Sequence, residues 1–76
     1  MKETLQFLLE HLVDHPDALQ IEESSEPGRI LFTVHVHQED MGKVIGKQGR
    51  IIRAVRDLLK LMATKQSTYV DVVLAE

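Results

Sequence analysis

The spacing of apolar residues changes three times along this chain, and that succession limits the folds it can adopt. Near the N-terminus, apolar residues recur at the spacing of one helix face. They are Leu5, Leu8, Leu9, Leu12 and Val13. Because the residue before a proline avoids the helical region, Pro16 ends this pattern. The sequence therefore predicts a helix over residues 3–14.

An alternation of side chains follows and predicts two β-strands. It runs through residues 18–23 and again through residues 30–37. Between the two runs, Pro27 and Gly28 occupy the central positions of a possible type II turn. A connection this short favours an antiparallel hairpin.

The second half of the chain returns to helical spacing and then to alternation. Asp40 is a candidate N-cap for a short helix over Met41–Ile45. A longer helix is predicted over residues 50–64, and a last strand over residues 68–75. The predicted apolar face of the long helix consists of Ile51, Ile52, Val55, Leu58, Leu59 and Met62. Its opposite face carries Arg50, Arg53, Arg56 and Lys60.

The element order αββααβ predicts an α+β fold. We expect a two-layer sandwich, with three helices on one face of a three-stranded mixed sheet. The third strand must run parallel to one of the first two, but periodicity does not say which of them it adjoins. With 76 residues, the chain is expected to form one domain, residues 1–76, around a single thin core. The absence of cysteine excludes disulfides and thiolate metal sites.

The net charge of −3 conceals a strong asymmetry along the chain. Residues 1–40 hold two basic and nine acidic side chains, whereas residues 41–76 hold seven basic and three acidic ones. Six of those seven bases lie between Lys43 and Lys60, where Asp57 is the only acid. Since charges in cell-like salt act over about 8–10 Å, a basic segment on an acidic body can bind a polyanion.

Three of the four glycines lie close together, at Gly42, Gly46 and Gly49. Glycine inside a helix costs about 1 kcal/mol relative to alanine, so this concentration indicates a special backbone requirement. The spacing predicts a tight helix–loop–helix, in which amides at the start of the second helix lack acceptors and can bind phosphate. Three basic residues flank this loop: Lys43, Lys47 and Arg50.

Residues 44–52, Val-Ile-Gly-Lys-Gln-Gly-Arg-Ile-Ile, resemble the signature of the KH RNA-binding domain, which is recognised by its GxxG loop. The element order resembles the type II, or prokaryotic, arrangement of that domain. From the first helix to the last strand, the chain is similar to the small bacterial single-domain KH proteins of the KhpA kind.

The resemblance implies that about four nucleotides of single-stranded RNA lie in a groove between the loop, its two helices and one sheet edge. The implied backbone clamp is Gly46, Lys47, Gln48 and Gly49. The implied aliphatic floor is Val44, Ile45 and Ile52, and the implied phosphate-binding cations are Lys43, Lys47, Arg50 and Arg53. An RNA chaperone or post-transcriptional regulator is the function that this implies.

The resemblance also implies self-association, pairing with a larger KH-containing protein of the KhpB kind, and a role in cell elongation and division. Independently, Leu61 lies at the flank of the predicted core stripe and is a candidate for a self-association surface. No apolar run is long enough to cross a membrane, and we expect a cytoplasmic protein. With no nucleophile and no paired acids in an apolar setting, we expect neither an enzyme nor a cofactor.

Alternative, less specific interpretations of these features remain open. The glycine loop could be an ordinary helix–helix turn, and the domain could be a protein–protein adaptor that does not bind RNA. His11 and His15 have i, i+4 spacing, but no third ligand is evident, so no metal site is predicted. His35 and His37 point to one side of a strand, which favours a solvated sheet face, with RNA or partner contact as the alternative.

Aromatic residues are scarce, with only Phe7, Phe32 and Tyr69, and Phe32 is assigned to the core. Proteins that stack bases on exposed aromatics gain about 1–3 kcal/mol per base. We expect no such platform here. The sequence therefore predicts modest affinity and weak sequence selectivity.

Overall fold

The computed structural model describes residues 1–75 and contains three helices and three strands. The helices are α1 (Lys2–Glu10), α2 (Met41–Ile45) and α3 (Arg50–Lys65). The strands are β1 (Gln20–Glu26), β2 (Arg29–His35) and β3 (Tyr69–Leu74). Short 3-10 turns occur at Pro16–Ala18, Gln38–Asp40 and Lys47–Gly49. The predicted α+β order αββααβ is confirmed.

Strand β2 lies at the centre of a mixed sheet in the order β1-β2-β3. It pairs antiparallel with β1, and Glu26 pairs with Arg29 across the turn. Gly28 has φ +77°, as the third position of a type II turn requires. Strand β3 runs parallel to β2, with Val72 beside Phe32. Because a parallel pair needs a crossover, α2 and α3 supply this connection.

The helices cover one face of the sheet, as predicted. Helix α1 packs against β1, α3 packs against β3, and α2 packs against α3. The buried sheet residues all point to this face, and they are Ile21, Phe32, Val34, Val70 and Val72. The helices contribute Leu5, Leu9, Val44, Ile52, Val55, Leu59 and Ala63 to the same core. None of the helices in residues 1–75 is both long enough and apolar enough to span a membrane.

Helix α1 is shorter than the predicted range 3–14, because it ends at Glu10. The next residues form a turn, and the backbone N–H groups after this turn donate to a residue that is distant in sequence. The backbone N–H groups of Asp14 and His15 donate to the side chain of Asp40 at 3.1 and 2.9 Å. This long-range bonding replaces the last helical turn, so the prediction from the proline alone was wrong.

Asp40 occupies the predicted position at the start of α2 but does not cap that helix. Its side chain makes no capping hydrogen bond and is instead fully buried, where it binds the segment after α1. The position predicted for Asp40 was therefore correct, but its side chain joins the segment after α1 to the start of α2.

The strand ends also differ from the predictions. Strand β1 extends to the turn, because its pairing with β2 continues up to Glu26. Strand β2 ends at His35, and His37 therefore leaves the sheet and stacks on His15, with 4.0 Å between ring centroids. The predicted common sheet face for the two histidines was wrong. On α3, Leu58 was predicted to face the core but is 40% exposed.

Candidate nucleic-acid interface

The GxxG loop (residues 46–49) joins α2 to α3 through an unusual backbone path. Gly46, Gln48 and Gly49 all have positive φ, at +78°, +58° and +73°. Positive φ is uncommon for a residue with a side chain, and such strain often occurs at ligand-binding sites. The loop therefore depends on its glycines and on one strained glutamine.

The two glycines of the loop meet different requirements. Gly46 combines φ +78° with ψ 173°, a region that is essentially restricted to glycine. A Cβ atom there would lie 2.5 Å from Cγ1 of Ile51, so its absence lets the loop pack closely on α3. A Cβ on Gly49 would meet nothing within 4 Å. Gly49 is needed for its φ angle, and the space beside it is open.

The backbone of the loop is partly engaged in a 3-10 turn. The N–H of Gly49 donates to the Gly46 carbonyl at 3.1 Å, and the N–H of Arg50 donates to the Lys47 carbonyl. The sequence predicted open donors at the start of α3, and the first of them, the N–H of Arg50, is used by this turn.

Three of the four predicted phosphate-binding cations lie in the loop or in the first turn of α3 and are exposed. Lys47, Arg50 and Arg53 form no ion pair with any of residues 1–75. The Arg50 guanidinium donates to Oε1 of Gln48 at 3.3 Å, which links the strained residue to α3. These cations are therefore free to meet an anion at the loop.

Lys43, the fourth predicted cation, is held by the protein itself. Its ammonium group forms an ion pair with Asp14 and lies 3.9 Å from a carboxylate oxygen of Asp40. The hydrogen bond to Asp14 is the main reason that the pKa of Lys43 is raised above its ordinary value. Lys43 thus helps to hold the end of α1 to α2.

The buried Asp40 carboxylate is charged despite its surroundings. Burial alone would raise its pKa, but the N–H donors of Asp14 and His15 favour the ionised form. Coulombic attraction from His15 in its protonated form and from Lys43 acts in the same direction. Together these contacts hold the pKa of Asp40 below its ordinary value.

Of the three aliphatic residues predicted to form a groove floor, two belong to the core. Val44 is fully buried, and Ile52 is nearly so. Ile45 is half-buried and packs at the edge of the core. Val44 and Ile52 therefore anchor the two helices around the loop. Of the three, Ile45 alone keeps substantial side-chain surface that a ligand can contact.

The free edge of β3 lies beside α3. The N–H of Tyr69 donates to the Gly28 carbonyl and the N–H of Ala75 donates to the Val34 carbonyl, so the odd-numbered residues of β3 point their peptide groups toward β2. Val72, an even-numbered residue, therefore points its N–H and carbonyl groups away from β2, toward the free edge. Nε of Arg56 donates to the Val72 carbonyl at 2.9 Å.

The Asp71 carboxylate accepts from the Val72 N–H at 2.8 Å. Both outward peptide groups of Val72 are thus occupied. At 100° per residue, Arg53 and Lys60 project within about 60° of Arg56, and so toward the same edge.

Sequence reasoning missed two exposed aromatic residues. Phe7 is 61% exposed and Tyr69 is 58% exposed, so the expectation that the chain lacks exposed aromatics was wrong. The guanidinium of Arg29 lies 5.7 Å from the centre of the Tyr69 ring, within cation–π range. The exposure of Phe7 could have been recognised, because it falls outside the apolar stripe of α1.

Comparison with known proteins places these features in a family. The model of the KhpA/KhpB KH domain family matches residues 2–74. A protein named RNA-binding protein KhpA from Clostridium acetobutylicum is 44% identical, over 95% of this chain and 96% of its own length.

Proteins of the same name from other bacteria are also similar. The one from Chlamydia pneumoniae is 37% identical over 100% of this chain and 97% of its own length. The one from Caldanaerobacter subterraneus is 44% identical over 95% of this chain and 96% of its own length. The chain belongs to the KhpA/KhpB family of KH domains.

Proposed function

We propose that this protein binds single-stranded RNA and that the GxxG loop grips the sugar–phosphate backbone of about four nucleotides. The observation that carries the proposal is the glycine-dependent loop with three exposed cations at it, Lys47, Arg50 and Arg53, which form no ion pair with any of residues 1–75. Backbone amides, lysine and arginine are the usual protein donors to phosphate oxygens. The names of the KhpA relatives support RNA as the ligand, and membership of this family makes the chain a binding protein, not an enzyme.

The bound strand would run from the loop along α3 toward the free edge of β3. Arg50 and Arg53 follow the loop on the exposed side of α3, and Lys60 continues toward β3. Ile45 supplies apolar surface close to the loop. Because few cations and no aromatic platform adjoin the loop, we expect modest affinity and weak base selectivity.

The direct test places negative charge where the phosphate would lie. In the double variant Lys47→Asp, Gln48→Asp, aspartate tolerates the positive φ at position 48, so the fold should persist. We expect loss of binding to a fluorescein-labelled single-stranded RNA, measured by fluorescence anisotropy, with an unchanged circular dichroism spectrum.

The matched control makes the same residue changes at the far end of α3. The variant Lys65→Asp, Gln66→Asp alters net charge equally but should keep RNA binding. Retained binding in the loop variant would contradict the backbone clamp. If the wild-type protein itself binds no RNA at low salt, the function is that of a protein–protein adaptor.

An exposed apolar strip on α3 supports a second activity, self-association. The strip consists of Ala54, Leu58 and Leu61, and Leu61 is 64% exposed. It projects roughly 120° around the helix axis from the side that carries Arg53 and Lys60. A two-fold dimer needs a surface that is complementary to itself, and one apolar strip on one helix meets that need. Dimer formation through the strip would leave Arg53 and Lys60 open.

This second activity is tested by the variant Leu61→Lys. We expect a folded monomer by light scattering where the wild type is a dimer. Phe7→Lys is the matched control, because Phe7 is similarly exposed but lies on α1. A wild-type monomer, or an unchanged mass in Leu61→Lys, would contradict the proposal.

A wild-type monomer would also favour the alternative occupant of the strip, a larger KH-containing protein of the KhpB kind. In either assembly we propose a cytoplasmic RNA chaperone or post-transcriptional regulator that acts in cell elongation and division.

A further inference from the structure

Outside the RNA site, two histidines and a glutamate converge from separate parts of the chain. His15 follows α1, whereas His37 and Glu39 lie between β2 and α2. Nε2 of His15 lies 3.2 Å from Oε1 of Glu39, and Nδ1 of His37 lies 3.8 Å from the same oxygen. One ligand atom from each residue lies within 4.8 Å of the other two.

The backbone around this cluster is held in place. The N–H of His15 donates to the buried Asp40 carboxylate at 2.9 Å, which fixes one segment against the other. The N–H of Glu39 donates to Nδ1 of His37 at 3.0 Å. A nitrogen that accepts a hydrogen bond is unprotonated, so Nδ1 carries the lone pair that a metal ion requires.

The separations are close to those of a metal site. Bonds of about 2.0–2.1 Å from zinc to nitrogen or carboxylate oxygen put tetrahedral ligands roughly 3.3 Å apart. The separation between His15 and Glu39, 3.2 Å, is already close to this value, and the other two must shorten by up to about 1.5 Å. His15 and His37 are 40% and 41% exposed at the side chain, so the rings have room to move.

We propose that His15, His37 and Glu39 form a binding site for one zinc ion, with water in the fourth position. Two imidazoles and a carboxylate are a ligand set that suits zinc. The rings are stacked with their planes 22° apart, and a metal ion lies in the plane of each ligating ring. Binding therefore turns the rings out of the stack and replaces the Glu39 N–H donor at Nδ1.

The bound ion would join the end of α1 to the segment that leads into α2 and the GxxG loop. Such a cross-link exists only in the folded state, so zinc raises the melting temperature. His11, which precedes His15 by four residues, lies outside the cluster, and its Nδ1 lies 2.8 Å from the Phe7 carbonyl oxygen. The fold brings the other two ligands, His37 and Glu39, to His15.

The test is calorimetric titration of the metal-free protein with zinc chloride, together with histidine NMR spectra. We expect one equivalent of zinc at micromolar concentration and shifts confined to His15 and His37. The variants His37→Ala and Glu39→Gln should weaken binding by at least roughly tenfold, since even indirect partners of a metal ligand contribute that much. Glu39→Gln keeps the shape of the side chain, so a loss of zinc binding in this variant would not result from unfolding.

The matched controls are His11→Ala and His35→Ala, which remove histidines outside the cluster. Both should bind zinc like the wild type and show the same rise in melting temperature. Equal losses in the controls, or no binding at micromolar zinc, would overturn the proposal. The same holds if zinc binds with full affinity to His37→Ala.

Discussion

At the scale of single residues, the two glycines of the GxxG loop are not equivalent. Gly46 has a backbone conformation reserved for glycine and packs without a Cβ against Ile51. Gly49 has a left-handed conformation with open space around it. The GxxG motif does not distinguish the two positions. The structure shows that Gly46 is required mainly because a Cβ atom would clash, whereas Gly49 is required only for its backbone conformation.

We therefore expect unequal effects of alanine at the two positions. Gly46→Ala should lower the free energy of unfolding by about 2–4 kcal/mol, because backbone strain and overpacking each contribute. Gly49→Ala should lower it by only about 1 kcal/mol, the cost of a left-handed residue with a side chain. Urea denaturation measures both. Equal losses would contradict the distinction.

At the scale of secondary-structure elements, Asp40 connects the end of α1 to the start of α2. Its carboxylate accepts two backbone N–H groups from a segment 25 and 26 residues earlier. These bonds replace the last turn of α1, and Lys43 forms ion pairs with Asp14 and Asp40 in the same region. The bounds of α3 were predicted to within one residue because its glycine start and apolar stripe are local signals. The end of α1 depends on a distant carboxylate, and no local pattern reports that.

The depressed pKa of Asp40 predicts a pH effect on stability. Since the folded state binds this proton more weakly than the unfolded state, the contribution of Asp40 is present at neutral pH. It is lost as the pH falls below about 4, the ordinary value for aspartate. Urea denaturation as a function of pH should show this fall in stability.

In Asp40→Asn, we expect a lower melting temperature at neutral pH and a weaker dependence on acid. Asp17→Asn, at an exposed aspartate, is the control and should keep the profile of the wild type. If Asp40→Asn loses stability in acid as steeply as the wild type does, the assignment is incorrect.

At the scale of the whole molecule, the fold converts a charge asymmetry along the sequence into one in space. Strand β1, with exposed Glu22, Glu23 and Glu26, forms one edge of the sheet. Strand β3 forms the other edge and lies beside the basic side of α3. A polyanion is therefore attracted to the α3 side and repelled from the β1 side, which favours binding at one site despite the net charge of −3.

The salt dependence of RNA binding follows from this arrangement. Three phosphate contacts, from Lys47, Arg50 and Arg53, predict a slope of about −2 for log K against log salt. Arg53→Glu should reduce the magnitude of that slope by about 0.7. Lys2→Glu, on the exposed side of α1, should leave it unchanged. Anisotropy titrations at several salt concentrations give both slopes, and a slope near zero for the wild type would contradict phosphate contacts.

The order of the helices and strands and the position of the glycine loop were determined by the sequence alone. Helical spacing, alternation and turn glycines are local properties, so a single sequence displays them. Only the tertiary structure decided which strand adjoins β3, that Lys43 is paired, and that Asp40 accepts hydrogen bonds from the segment after α1. Likewise, only the fold brings His15 to His37 and Glu39. The physical reason is that each of these outcomes depends on contacts between distant segments, which form when the core packs and which no local pattern encodes.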